Sequence, residues 1–186
     1  MDRNALAASD DTLFVVDQEP RKFLFGTWKN VVVLAWAAQA DETVIGRLKV
    51  SLARIARLRP GPRSCISLIA AGLPMPTDEA RAGILDLMNA NGVQVGCLAV
   101  VIKGTGFQRS ALHSAHTGMH LASTKSFEMI VLDCVEDLAG WLLPRHEKTG
   151  VALDAKRLVA IANQASDGAA CARTLNGLIP TPRGVG

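Results

Sequence analysis

Residues 93–107 read VQVGCLAVVIKGTGF, a largely apolar run that passes through two glycines into a new pattern. An uncharged run of this length is typical of a strand that is covered on both faces of a sheet. Helical periodicity follows it for about five turns, to near Ser123. We therefore predict a strand, a turn and a helix in succession, the unit from which parallel α/β sheets are built.

The same alternation of apolar runs and helical patterns extends in both directions from this segment. Three short runs near the N-terminus predict a meander of antiparallel strands: Leu13–Val16, Phe23–Thr27 and Val31–Trp36. Two further strands are predicted at Cys65–Ala70 and Phe127–Leu132. Helices are predicted over Asp41–Leu58, from Thr77 to near Asn91, and over Val135–Leu143 and Leu153–Ala165. The predicted fold is α/β, with a mixed, mainly parallel sheet of about six strands after an N-terminal meander and about four packed helices.

The length of 186 residues allows one sizeable hydrophobic core. We predict an N-terminal segment with an edge strand over residues 1–21 and an α/β domain over residues 22–143. Residues 144–186 are predicted to form a C-terminal extension with one helix and a loose tail over 180–186.

Composition argues against several classes of protein. Hydrophobic residues make up 49% of the chain and charged residues 20%, which is typical of a globular protein. The net charge is only +3 and tyrosine is absent, so a nucleic-acid partner is not expected. The acidic N-terminus lacks a secretory apolar segment, and no apolar run approaches the ~20 residues of a transmembrane helix. A cytoplasmic protein without a transmembrane segment is predicted.

The four cysteines are widely spaced and form no CxxC pair: Cys65, Cys97, Cys134 and Cys171. This spacing favours reduced, buried thiols over a zinc ribbon or a disulfide scaffold. None of Ser64, Ser67, Cys65 and Cys97 lies in a nucleophile elbow or a known cysteine signature. We therefore nominate no catalytic residue and no cofactor, and predict that the protein is not an enzyme.

A stripe of four polar residues marks the helix after the glycine turn: Arg109, His113, His116 and His120. Spacings of three and four residues bring these side chains to one side of a helix. The opposite face, predicted to pack on the core, comprises Phe107, Ala111, Ala115, Met119 and Ala122. The stripe is thus predicted to point away from the core, either as a surface for a protein partner or self-association or as a solvated face. A metal site is not predicted, because one straight helix does not easily surround a tetrahedral ion.

The turn formed by Lys103, Gly104, Thr105 and Gly106 joins a predicted strand to a predicted helix start. Free backbone N–H groups at a helix start can hold an anion or a lipid headgroup. The turn is neither a GxGxxG motif nor a Walker A loop, and glycines are also needed simply to reverse the chain. Anion binding and a plain turn therefore both stand as interpretations.

The meander, the strand–helix alternation, the VIKGTGF turn at 101–107 and the closing VEDLAGWL at 135–142 resemble the SpoIIAA-like, or STAS-like, domains of bacteria. The resemblance covers roughly residues 22–143. It implies a domain in which a serine or threonine at a helix start is phosphorylated by a partner kinase. Here that position corresponds to Thr77, although the inserted segment Ala71–Pro76 departs from the family pattern. An ordinary helix cap is the alternative role of Thr77.

Three functional hypotheses follow. The leading one is a non-enzymatic regulatory or scaffold domain that acts by binding another protein, including a second copy of itself. The second is binding of a lipid or a small anionic ligand, because the SpoIIAA-like group also resembles the lipid-carrying Sec14 architecture. A lipid carrier requires an apolar cavity. The third hypothesis is a metal-dependent enzyme.

Overall fold

The computed structural model describes residues 12–58, 60–89, 95–124 and 127–171. One sheet contains six strands in sequence order: β1 (Phe14–Glu19), β2 (Phe23–Trp28), β3 (Val31–Trp36), β4 (Arg63–Ile69), β5 (Val95–Ile102) and β6 (Glu128–Leu132). The β1–β2 and β2–β3 pairs are antiparallel, and the three pairs from β3 to β6 are parallel. The predicted α/β class and the mixed six-stranded sheet are confirmed.

The described residues form five α-helices: α1 (Glu42–Leu58), α2 (Asp78–Asn89), α3 (Phe107–Ala122), α4 (Leu138–His146) and α5 (Ala155–Ala170). A short 3-10 helix, Glu147–Thr149, continues α4. No described helix is both long enough and apolar enough to cross a lipid bilayer. The predicted tail over residues 180–186 and the first eleven residues of the predicted N-terminal segment lie outside the described residues.

Tight reversals shape the N-terminal meander. Arg21 and Lys29 adopt left-handed backbone conformations, with φ of 63° and 49°, where the chain turns between consecutive strands. The rings of Phe23 and Phe25 stack with centroids 4.4 Å apart on the β2 face. The Arg47 guanidinium of α1 lies over Phe23 at 4.5 Å and donates hydrogen bonds to Asp17. Helix α1 is thereby fixed to the meander.

Alternate residues of the strands point to two separate layers of helix. On one face, α4 and α5 cover the central strands, and Leu158 and Ile161 of α5 are fully buried there. Thus α5, which lies in the segment predicted as a C-terminal extension, contributes to the core. On the other face, α1 packs over β1 and β2, while α3 packs over β5 and β6. Helix α2 lies against α1 and α3 rather than directly on the sheet.

Candidate functional site

An apolar groove lies between the sheet and the α1, α2 and α3 layer, over the central strands β3, β4 and β5. It encloses about 130 Å³. Leu34 and Leu98 form part of its floor, Leu87 of α2 lines one wall, and Leu112 and Met119 of α3 line the other. Leu34 of β3 and Leu98 of β5 are only half-buried although both lie within central strands. The groove is therefore open sheet surface rather than a sealed void.

The position of α2 explains why the groove exists. A Cβ atom on Gly83 would lie 2.7 Å from Cγ2 of Ile45, so α2 approaches α1 more closely than any larger residue would allow. At its other end, the side-chain oxygen of Asn89 accepts hydrogen bonds from the Ser123 hydroxyl at 3.0 Å and from the Thr124 backbone at 2.8 Å. Helix α2 packs closely on α1 and is tied to α3 at its C-terminus, and the groove lies between these contacts over the sheet.

Two polar points interrupt the apolar lining. The Trp36 indole N–H donates to the Ser67 hydroxyl oxygen at 3.0 Å. Across the groove, His116 Nδ1 lies 2.9 Å from the Leu112 carbonyl oxygen. Since a carbonyl can only accept, Nδ1 carries the proton, and Nε2 of a neutral ring carries a lone pair. None of the described lining residues is Lys, Arg, Asp or Glu.

Burial lowers the pKa of His116 below its ordinary value, and the neighbouring His113 lowers it further. Burial also raises the pKa of the lining thiol Cys65 to about 12. Both groups are therefore uncharged at neutral pH, so the groove presents hydrogen-bonding groups without a charge.

No family model, no curated protein and no solved structure matches the chain.

The structure corrects the predicted orientation of the histidine helix. Phe107, predicted to face the core, is 87% exposed, whereas Met119, predicted on the same face, is buried together with Leu112. His116 lies between those two residues at helical spacing, so it turns inward to line the groove. The error arose because Ala and Ser fill much of the helix and leave its apolar face poorly defined in the sequence.

The four stripe residues consequently have different surroundings. His113 is exposed. Arg109 forms an ion pair with Asp133, which follows β6. The His120 ring lies 5.0 Å from the Phe127 ring, and its buried Nδ1 has no hydrogen-bond partner among the described residues. The role of these residues in binding a partner stays a prediction.

The glycine turn has a structural explanation. Gly104 and Gly106 have φ of 103° and 83°, in a region that other residues rarely adopt. A Cβ on Gly104 would lie 3.1 Å from the Ala71 Cβ, so the turn packs closely against the segment after β4. Gly106 begins α3 without a side-chain cap. Anion binding by Lys103, Gly104, Thr105 and Gly106 stays a prediction.

Thr77 caps α2. Its hydroxyl oxygen accepts a hydrogen bond from the Ala80 backbone N–H at 3.2 Å, which satisfies one of the free donors in the first turn. Asp78, next in sequence, is paired with Arg81. The cap was one of the two predicted roles of Thr77, and phosphorylation stays a prediction.

A buried hydrogen-bonded chain on the opposite face of the sheet could not be identified from the sequence. The Cys97 thiol donates to the Ser64 hydroxyl oxygen at 3.3 Å, and that oxygen lies 2.8 Å from His146 Nδ1. His146 is 1% exposed, and its Nε2 has no hydrogen-bond partner among the described residues. Burial lowers the pKa of His146. Across the described residues, no three His, Cys, Asp or Glu side chains form a metal-binding cluster.

Proposed function

We propose that this protein binds a small apolar molecule in the groove between α2 and α3. The supporting observation is a space of about 130 Å³ with an almost wholly apolar lining. An engineered apolar cavity of ~150 Å³ is large enough to hold benzene. Protein interiors are otherwise closely packed, and apolar concavities with a few directed polar groups are typical ligand sites.

The expected affinity follows from the area that such a ligand would remove from water. An aromatic ring buries ~150–250 Å², worth about 4–6 kcal/mol at ~25 cal/mol per Å². Loss of translational and rotational freedom offsets part of this free energy. A ligand of six carbons should therefore bind with a Kd on the order of a millimolar, and a larger ligand that extends along the open groove should bind more tightly.

Native mass spectrometry of untagged protein tests the proposal first, because a retained apolar ligand adds a defined mass. The second test is saturation-transfer NMR with benzene as the probe. Leu98→Trp should fill the groove and abolish the signal, whereas Val50→Trp, at a 71% exposed position on α1, should preserve it. A bare native mass together with equal benzene signals for wild type and Leu98→Trp would refute the proposal.

A second candidate function is interaction with another protein through a STAS-like domain. The order of elements, a meander followed by strand–helix alternation, supports this proposal. Its specific support is the outer face of α3, where Phe107 is 87% and Leu121 is 80% exposed. The two side chains lie 14 residues apart on one face of α3, about 21 Å along the helix axis at ~1.5 Å per residue, so a partner helix laid along this face would cover both.

We propose that the partner in this second function is another copy of the same protein. Ser114 lies midway between Phe107 and Leu121, so an antiparallel α3 pair with its twofold axis at Ser114 sets Phe107 opposite Leu121 of the partner subunit. Arg109 is the only formally charged residue of α3, and Asp133 neutralises it. Sedimentation equilibrium should show a dimer that Phe107→Ser converts to a monomer. Val50→Ser is the control, and a monomeric wild type would reject the dimer.

A further inference from the structure

His116 lines the groove, and the hydrogen bonding of its ring decides which polar group of a ligand it can bind. Its Nδ1–H is already committed to the Leu112 carbonyl at 2.9 Å. No other hydrogen bond to the ring is formed by the described residues. The lone pair on Nε2 is therefore left to accept a hydrogen bond, which a ligand can supply only with an O–H or N–H group.

Ser67 provides the complementary group. Its oxygen accepts from the Trp36 indole at 3.0 Å, and its own hydrogen is bound by no other described residue. Because Ser67 also lines the groove, this hydrogen can be donated to an oxygen of a ligand. Among the described lining residues, the groove thus offers one strong acceptor and one strong donor beside the weak Cys65 thiol, on otherwise apolar walls.

The lack of charge among the described lining residues favours an uncharged ligand over an anion. Apart from His116, Cys65 is the only titratable side chain among the described lining residues, and its raised pKa keeps it protonated. A carboxylate or phosphate that entered the groove would lose water without gaining an opposite charge, which is costly in an apolar environment. A neutral hydroxyl group pays a much smaller desolvation penalty and regains hydrogen bonds there.

We infer that the groove selects an uncharged molecule with an apolar body and a hydroxyl-type donor, and rejects the corresponding anion. This inference rests on the proposed binding of an apolar ligand. For the groove it favours a neutral alcohol or phenol over an anionic ligand. Hydroxyl recognition is assigned to His116, with Ser67 as the second contact.

Three probes with the same ring test apolar binding and hydroxyl recognition separately: benzene, phenol and benzoate at pH 7.5. Binding is followed by the indole N–H resonance of Trp36, assigned with Trp36→Phe among the three tryptophans of the chain. Benzene should bind, phenol should bind about threefold to tenfold more tightly, and benzoate should bind at least tenfold more weakly than benzene. His116→Leu should reduce phenol to the affinity of benzene, and the exposed His113→Leu should change neither.

The results distinguish failure of the proposed function from failure of the inferred hydroxyl recognition. If benzene does not bind, the proposed function fails and the inference fails with it. If benzene and phenol bind equally to the wild-type protein, hydroxyl recognition is wrong while the apolar site stands. Tighter binding of benzoate than of phenol would overturn the charge argument. These rankings need only the wild-type protein, so they hold even where a substitution impairs folding.

Discussion

Gly83 controls the separation of α1 and α2, and replacing it with alanine tests how the groove is kept open. An added Cβ would lie 2.7 Å from Cγ2 and 3.6 Å from Cβ of Ile45. Isoleucine is branched at Cβ and has little χ1 freedom in a helix, so this methyl group cannot easily move away. The helices must separate instead, and α2 would then move towards α3.

Two opposed terms determine the stability of Gly83→Ala. Replacing a helical glycine with alanine stabilises the helix by about 0.8–1.0 kcal/mol. Forcing an extra methyl group into a packed contact costs about 1–3 kcal/mol. The expected net result is a loss of up to ~2 kcal/mol, which lowers Tm by several degrees in a domain of this size.

Gly118 of α3 is the matched control, because an added Cβ there meets nothing within 4 Å. Gly118→Ala should show only the gain in helix propensity and raise Tm by about 2–4 °C. Thermal unfolding followed by circular dichroism measures both variants, and benzene binding should weaken in Gly83→Ala alone. An equal rise in Tm for the two variants would refute the argument that close contact with α1 holds α2 away from α3.

Three further expectations concern titration, ion pairing and thiol chemistry. Burial lowers the pKa values of His146 and His116. The stability that the two residues contribute is therefore present above about pH 6.5 and is lost as the pH falls through their folded-state pKa values. Urea unfolding at pH 7.5 and 5.5 measures this loss, and equal free energies of unfolding would contradict it. Arg47→Ala should cost about 1 kcal/mol in the same assay, since the ion pairs are half-exposed and the Phe23 contact is modest; an unchanged midpoint would contradict that role. Cys171 is exposed and should react with a thiol reagent at once, whereas Cys65 should react only on unfolding, and rapid labelling of Cys65 in folded protein would argue against its burial.

The fold class could be predicted because each buried strand is a continuous apolar run bounded by polar residues or glycine. The run that ends at Ile102 and the glycines after it predicted β5, its turn and the start of α3. These are local signals, and burial on both faces of a sheet imposes them directly on the sequence. Three short apolar runs near the N-terminus likewise predicted the meander of β1, β2 and β3.

The candidate site depends on tertiary contacts that local patterns do not encode. Leu112 and Phe107 are both apolar residues of one helix, and only packing against the sheet decides which is buried. The contact of Gly83 with Ile45 joins residues on different helices. His146 pairs with Ser64 across 82 positions of sequence and has charged neighbours, Arg145 and Glu147. Pairing of this kind cannot be derived from spacing.

The sequential strand order has a consequence for where any ligand can bind. Open α/β sheets usually place ligands beyond the carboxyl ends of their strands, where the direction of the crossovers reverses and adjacent helices diverge to opposite faces. Here β3 to β6 follow one another without reversal, and α1, α2 and α3 all lie on one face. Among the described residues β3 to β6 therefore offer no switch-point crevice at the rim, and the proposed site lies instead between the sheet and the helical layer.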